Sequence, residues 1–445
     1  MRDRRLDLWR GLCLIDMILV HLVHEGVQFG VLTPWIVDYT RFAAGGFVFV
    51  AGLGVGLAYL RPRDDRHLRA STARLWARAV YLLGVHYALT GIIVTLDVLR
   101  GTRSPATDPL ALVRDIAFLR EAPPYIDVLP LYVAMLLVTP AAFALLRRGL
   151  WPLVALVSAA VFTYGRHDPH AFSPRASVEF PFLLWQAFFV AGLLFSMVVP
   201  RLDRGRRAWR VAMAGAWIAF IVTTSLAYGP RFDIVPEPTF VSFAKVPLTT
   251  GELLRYLAAT LVVLTTSAVG WRHMRRSAGA AAIATLGRRS LAVYGAHVFL
   301  QMLALIAVTP LWWIGSAQAL VVLPVLAGSW LVARAVDRWE ARPRPWTDLR
   351  RALRGWGAAP AGLVAAAVLI AVVRPPLPDE AGVEVGTETQ FSGEIDLVDA
   401  VDEPSFTPDV TIDETPFDDD APEIEELDEL DDTPIQSGLG ASLVV

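Results

Sequence analysis

Arg10 and His21 stand eleven residues apart within one apolar run, Leu8–Val27, which also holds Asp16, His24 and Glu25. Ionisable groups inside a run of membrane-spanning length are costly to bury and mark functional positions by default. On a helix that advances 100° per residue, His21 falls about 20° from Arg10, with His24 and Glu25 within about 60°. These four therefore share a face, while Asp16 is turned about 120° away and suits a hydrogen bond to a neighbouring helix. Eleven residues make about three turns, or roughly 16 Å along the axis. Arginine keeps its charge and binds phosphate or carboxylate with a planar fork. Histidine takes a proton from a hydroxyl, or carries an acyl group itself. The pair thus describes one wall with an anion anchor at one end and a base or nucleophile at the other. Glu25 or a backbone carbonyl is placed to orient the ring. The plainer alternatives are an Arg10 that snorkels to headgroups, a His21 hydrogen-bonded between helices, and a His24 and Glu25 that are simply wetted at the interface.

Further polar residues sit in or beside other apolar runs. His86 and His297 are mid-run and each needs a partner, whether substrate or a polar group of another helix. Asp127 follows Pro123–Pro124–Tyr125 and opens the fourth run, where its carboxylate is expected to cap a helix N-terminus; a substrate role competes with that. Trp185–Gln186 lies one turn into the sixth run. An aromatic ring beside an amide holds a sugar ring well, and an interfacial tryptophan is the alternative. The glycines of Gly52–Leu53–Gly54–Val55–Gly56 lie inside an apolar run with no preceding strand, so close helix packing explains them better than nucleotide binding. No P-loop, HExxH, paired CxxC or EF-hand pattern occurs. One cysteine, Cys13, excludes an intramolecular disulfide framework and a multi-cysteine zinc site, and no metal site is expected.

The elements that must position these residues follow from composition. Of 445 residues, 55% are hydrophobic and 19% charged, with mean hydropathy +0.48. A soluble domain carries about 25% charged residues, and here the apolar excess lies in blocks near the roughly 20 residues that cross a bilayer as a helix. The fold class is an all-α polytopic transmembrane helix bundle of 10–11 spans. The runs are Leu8–Val27, Phe42–Leu60, Val80–Leu99, Val128–Leu146, Leu150–Tyr164, Pro181–Val199, Val211–Tyr228, Leu253–Gly270, Leu291–Val308, Ala317–Ala333 and Ala358–Val373; the fifth and eleventh are short. The net charge of −3 hides a segregation: residues 1–374 hold all 40 basic residues and 21 acidic ones, while 375–445 hold 22 acidic residues and no basic one. Arg10 and the arginines of alternate loops together make twenty-nine on one side, which predicts a cytoplasmic N-terminus. Residues 1–374 form the membrane domain. The acidic tail, 375–445, is too polar to offset its ordering entropy and is expected to be disordered, outside the cytoplasm if all eleven runs span. A tether or docking strip is the functional reading of the tail, and a solvated spacer the simpler one. The segments Gly101–Ile126, Gly165–Phe180 and Gly229–Gly251 would roof an outward-facing site.

Several blocks resemble a known family. Arg10 with ten intervening residues before His21 is similar to the first-helix signature of the membrane acyltransferase type 3 superfamily. The stretch Arg2–Asp3–Arg4–Arg5–Leu6–Asp7–Leu8–Trp9–Arg10–Gly11–Leu12 resembles the opening of its OpgC branch, the osmoregulated periplasmic glucan succinyltransferases. Gly46–Phe47–Val48–Phe49–Val50–Ala51–Gly52 and Tyr125–Ile126–Asp127–Val128–Leu129–Pro130–Leu131–Tyr132 resemble further blocks in the same order. Phe180–Pro181–Phe182–Leu183–Leu184–Trp185–Gln186–Ala187–Phe188–Phe189 and Leu291–Ala292–Val293–Tyr294–Gly295–Ala296–His297 complete the set, and the resemblance runs from about Arg2 to Arg344. The chain departs from the branch at Val20, where an acidic residue is usual, and at Ala51, where serine is usual.

The resemblance implies a multi-pass bacterial inner-membrane O-acyltransferase. It would move an acyl group, succinyl in the named branch, from cytoplasmic acyl-CoA to a hydroxyl of an extracytoplasmic glycan. It places His21 as the catalytic residue and Arg10 as a donor-binding one; the residues' own positions make Tyr125, Asp127, Trp185, Gln186, His24, Glu25, His86 and His297 the candidates for substrate binding. A succinyl donor would favour an added arginine such as Arg41 or Arg255. Partners are then acyl-CoA, the glycan and the lipid bilayer, with no nucleic acid and no metal. The rival classes are a proton-coupled transporter or flippase, which would typically show internal repeats and paired broken helices, and a non-catalytic scaffold that presents the tail.

Overall fold

The computed structural model describes residues 4–341 except 41, 61–64, 100–108, 120–122, 124, 170–179, 230–241, 246 and 309–318. The run 358–373, the acidic tail, its boundary at 374/375 and Arg41 lie outside the described residues. The described elements are helices: α1 (Arg4–His24), α2 (Thr33–Thr40), α3 (Phe42–Tyr59), α4 (Asp65–Leu99), α5 (Pro109–Ala117), α6 (Val128–Arg147), α7 (Trp151–His167), α8 (Phe182–Leu202), α9 (Arg206–Tyr228), α10 (Thr250–Met274), α11 (Ala278–Arg288), α12 (Ser290–Val308) and α13 (Val322–Ala341), with short 3₁₀ turns at Gly30–Leu32 and Ala319–Val321. In hydrocarbon the backbone must satisfy its own hydrogen bonds, and a helix does so within one segment.

Helices correspond to the first ten apolar runs and differ from them in their bounds. α1 ends at His24 instead of Val27, because Gly26 adopts φ +87°. The Gly26 N–H then donates to the Val23 carbonyl and the Val27 N–H to the Leu22 carbonyl, a glycine-terminated helix end with Val27 packed against Leu22. α4 starts at Asp65, 35 residues long, so it projects beyond the apolar run Val80–Leu99. The short helices α2, α5 and α11 lie in segments read from sequence as loops. Among the described residues, six helices are long and apolar enough to cross a membrane, or seven if α11 and α12, bent by 93° at their junction, count as one span. Every 18-residue stretch of α1 and of α13 holds at least three charged residues, and α7 has 17 residues. This is a multi-pass membrane protein.

Close helix approach is achieved by glycine. In the most extensive contact, α3 against α8, the bare Cα of Gly52 faces the Phe189 carbonyl and that of Gly192 faces the Phe49 carbonyl. Gly56 faces the Ser196 hydroxyl. Lipid tails are as apolar as leucine, so helices associate through such van der Waals contact between small residues. α1 meets α11 in the same way, with Gly11 against Ile283 and Gly287 against the Asp7 carbonyl. Outward, α9 exposes Val211, Trp217, Ile218, Ile221 and Val222, and α7 exposes Leu156 and Val157, as a lipid-facing surface requires. Charged links gather in the arginine-rich segments. Arg5 donates to both Asp203 oxygens at 2.7 and 3.0 Å, and Asp337 accepts from Arg288 and Arg289. α1 packs against α2, α3, α10, α11, α12 and α13, so its polar face is turned into the bundle.

Candidate active site

The two ends of the α1 polar face have different surroundings. Arg10 is half-buried, and its guanidinium lies over Gly54 of α3, where any larger residue would collide with Nη2. Tyr132 of α6 is within electrostatic reach of both Arg10 and Cys13, and no described residue bonds its buried hydroxyl. The glycine run on α3 thus has two uses: Gly52 and Gly56 pack against α8, and Gly54 makes room for Arg10. Trp9, beside Arg10, donates its indole N–H to the Ser267 hydroxyl of α10 and fixes this end of the helix.

About three turns further along α1, His21 is 8% exposed and enclosed by aromatic rings. Its Nδ1 lies 3.0 Å from Nε2 of His297 on α12, and the two rings stack at 5.2 Å with 23° between their planes. The Tyr125 ring sits 4.3 Å from the His21 ring, tilted by 38°. Tyr125 holds φ +71°, a left-handed conformation uncommon for a residue with a side chain. Its hydroxyl donates to Glu25 at 2.9 Å, and its carbonyl accepts from the Tyr294 hydroxyl. One turn beyond His297, the Gln301 amide donates to the Ile18 carbonyl at 3.0 Å and ties α12 to α1 a second time. The hydrogen bond described for the His21 ring runs through Nδ1. The arrangement offers a buried imidazole with one nitrogen held and the other available to accept a proton or an acyl group.

The structure therefore brings together His21, His297, Tyr125 and Glu25. His24 closes α1 half-buried and within electrostatic reach of His21. Asp127 holds the N-cap position of α6, yet its carboxylate makes no capping bond, which corrects the sequence-based expectation; it is buried within electrostatic reach of Tyr294. His86 is fully buried on α4 beside the Ile126 backbone, so it abuts the turn that carries Tyr125 and Asp127.

Trp185 and Gln186 are placed differently from a sugar platform. Trp185 is 0% exposed, packed between Phe180 and Phe188. The Gln186 amide joins α8 to α7, donating to the Ser158 and Leu183 carbonyls and accepting from the Ser158 hydroxyl. Arg255 gives Nε and Nη2 to both oxygens of Glu252 at 2.8 and 2.5 Å and Nη1 to the Tyr228 hydroxyl, so its fork is engaged inside the protein.

Three residues around the site escaped the sequence reading as candidates. Tyr294 and Gln301 flank His297 at spacings of three and four, which puts all three on one face of an apolar helix, and that stripe was the available signal. Lys245, the one lysine of the chain, comes within electrostatic reach of His21 from the segment before α10, and only the fold could have shown it. Of the segments expected to roof the site, Pro109–Ala117 is the helix α5. Much of the remainder lies outside the described residues.

Comparison with curated proteins and with solved structures finds no match. Comparison with protein families matches residues 2–341 to the family described as OpgC protein. That span contains α1 with Arg10 and His21, the Tyr125–Asp127 turn, α12 with His297, and the rest of the bundle through α13. The chain belongs to the OpgC protein family.

Proposed function

We propose that the protein is a membrane-bound O-acyltransferase that moves an acyl group from acyl-coenzyme A to a hydroxyl of an extracytoplasmic glycan. The observation that carries this reading is the seating of His21. An imidazole buried in a membrane bundle is held through Nδ1 by His297 and packed against the Tyr125 ring, so that Nε2 is the nitrogen left for chemistry. Family membership agrees with acyl transfer to a glucan. The twenty-nine arginines made up of Arg10 and those in alternate loops support a cytoplasmic N-terminus, and the membrane we infer is a bacterial inner membrane. Arg10 then faces the cytoplasmic half, where a coenzyme A phosphate meets it, and His21 the outer half, where the glycan arrives.

In the transfer, the acceptor hydroxyl gives its proton to His21 Nε2 as its oxygen bonds to the thioester carbonyl carbon. The carbon–sulfur bond breaks, and the departing thiolate takes the proton back from Nε2. In the two-step form, Nε2 first attacks the thioester carbonyl carbon and expels the coenzyme A thiolate; the hydroxyl oxygen then takes the acyl group from Nε2, its proton passes to the thiolate, and Nε2 regains its lone pair. Both forms need the same free nitrogen.

Mass spectrometry of surface glycans from cells carrying the wild-type protein or His21→Ala tests the proposal. An acyl ester present with the wild type and absent with the variant, at equal membrane abundance, is the expected result. Unchanged glycans together with a collapse of solute flux would instead make this a transporter.

A further inference from the structure

The hydrogen bonds around His297 determine which nitrogen of His21 is free, provided His21 is the reactive residue as read above. The Tyr294 carbonyl oxygen can only accept, so Nδ1 of His297, which it faces, must carry the ring proton. His297 is 0% exposed, where an unpaired charge would be costly, so its ring is neutral and Nε2 holds a lone pair. That lone pair faces His21 Nδ1 at 3.0 Å, which must therefore donate. A neutral imidazole has one N–H, so His21 Nε2 is left without a proton. We propose that His297 is a positioning residue that holds His21 in its Nδ1–H tautomer and presents Nε2 as the base or acyl carrier.

The same contact serves the transition state. When Nε2 takes the acceptor's proton, or carries the acyl group in the two-step form, the His21 ring becomes positive. Its Nδ1–H bond to His297 is then charge-assisted, and such bonds are roughly twice as strong as neutral ones. An interaction that strengthens as charge develops raises turnover more than it tightens binding. Three further contacts keep the pair in register. The rings stack, Gln301 bonds the Ile18 carbonyl one turn away, and the Tyr294 hydroxyl holds the Tyr125 carbonyl so that the Tyr125 ring stays over His21. The carbonyl–His297–His21 chain uses a neutral acceptor where the serine-hydrolase triad uses a carboxylate. Such an acceptor orients the ring without adding a buried charge.

Two substitutions separate this role from packing. In His297→Gln the side-chain oxygen can accept near the position of Nε2. In His297→Phe the ring volume remains and the acceptor is lost. With all variants expressed at full length in cells, the rate at which acyl ester appears on surface glycan should fall about 100-fold or more in His297→Phe. It should stay within about tenfold of wild type in His297→Gln, at equal membrane abundance. Ring ¹⁵N shifts of the purified full-length protein give a reading that needs no catalysis. The His21 signals, identified by their loss in His21→Gln, should report a proton on Nδ1 and a bare Nε2 in the wild type. A wild-type His21 protonated on Nε2 overturns the proposal, as does a His297→Phe as active as wild type or a His297→Gln as inactive as His297→Phe. If His21→Ala leaves the ester in place, the acyltransferase role of His21 fails, and the ¹⁵N shifts still decide the tautomer.

Discussion

The α3–α8 seam sets backbone against backbone through Gly52 and Gly192, whereas the α1–α12 seam is joined by side chains, His21 to His297 and Gln301 to the Ile18 carbonyl. The first is how a membrane bundle ordinarily gains stability, since close van der Waals contact has no competitor from lipid of equal density. The second is a poor route to stability. Interhelical hydrogen bonds in membranes are worth only about 0.6 kcal/mol on average, so the two bonds together contribute little more than 1 kcal/mol. Polar groups kept in a seam where apolar ones would hold as well are better explained by what they do. Stability is thus concentrated along α3 and α8, and chemistry along α1 and α12.

That division can be broken from either side. The largest effect is expected from His21→Ala, which should lower glycan acylation about 10³-fold and leave the thermal midpoint of the purified protein nearly unchanged. A midpoint that falls along with activity would merge the two seams into one structural role. Gly52→Leu should do the reverse. Its side chain would run into the Phe189 carbonyl, and backbone cannot yield as a side chain can. The cost lies at or above the upper end of the roughly 1–3 kcal/mol typical of overpacking. Thermal unfolding followed by size-exclusion chromatography should show the loss, while the fraction that remains folded keeps its activity per molecule. Arg10→Lys comes next. It keeps the charge and loses the planar fork that grips an anion at two points, so the KM for acyl-coenzyme A should rise about tenfold, a change of about 1.4 kcal/mol. The turnover number should hold. An unchanged KM would detach Arg10 from the donor.

The sequence made the all-α bundle, ten of its helices and the Arg10–His21 wall legible, because apolar run length and helical periodicity are local properties. It also indicated that Gly52 packs, although not that Gly54 two residues on accommodates Arg10. What remained hidden was pairing at a distance. Nothing in the run Leu291–Val308 says that His297 meets His21 and not another polar residue, and that contact spans 276 positions. Trp185 and Gln186 looked like a sugar platform because residue type and position in a span match one. The rings of Phe180 and Phe188 flank Trp185 within its own segment, whereas the bond of Gln186 to Ser158 depends on α7 lying alongside α8. The break between α11 and α12 was likewise invisible, since neither segment contains a proline at the bend.

Tyr125 gives the finest test of the division, because stability and chemistry are opposed within one residue. Its backbone at φ +71° costs on the order of 1 kcal/mol or more for a residue with a side chain, and glycine would remove that cost. If the strain is held in order to place the ring over His21, Tyr125→Gly should melt no lower than wild type despite the lost contact, while acylation falls about tenfold, or about 1.4 kcal/mol. Tyr125→Phe should show the smallest effect of the set. It keeps the ring 4.3 Å from His21 and loses the hydroxyl bond to the exposed Glu25, a contact worth about 1 kcal/mol. Initial rates and melting midpoints measured side by side decide between two accounts. If the phenylalanine variant loses as much activity as the glycine variant, the Glu25 bond and not the ring is what the strained turn exists to make. The chemistry would then extend past His21 to the polar end of α1.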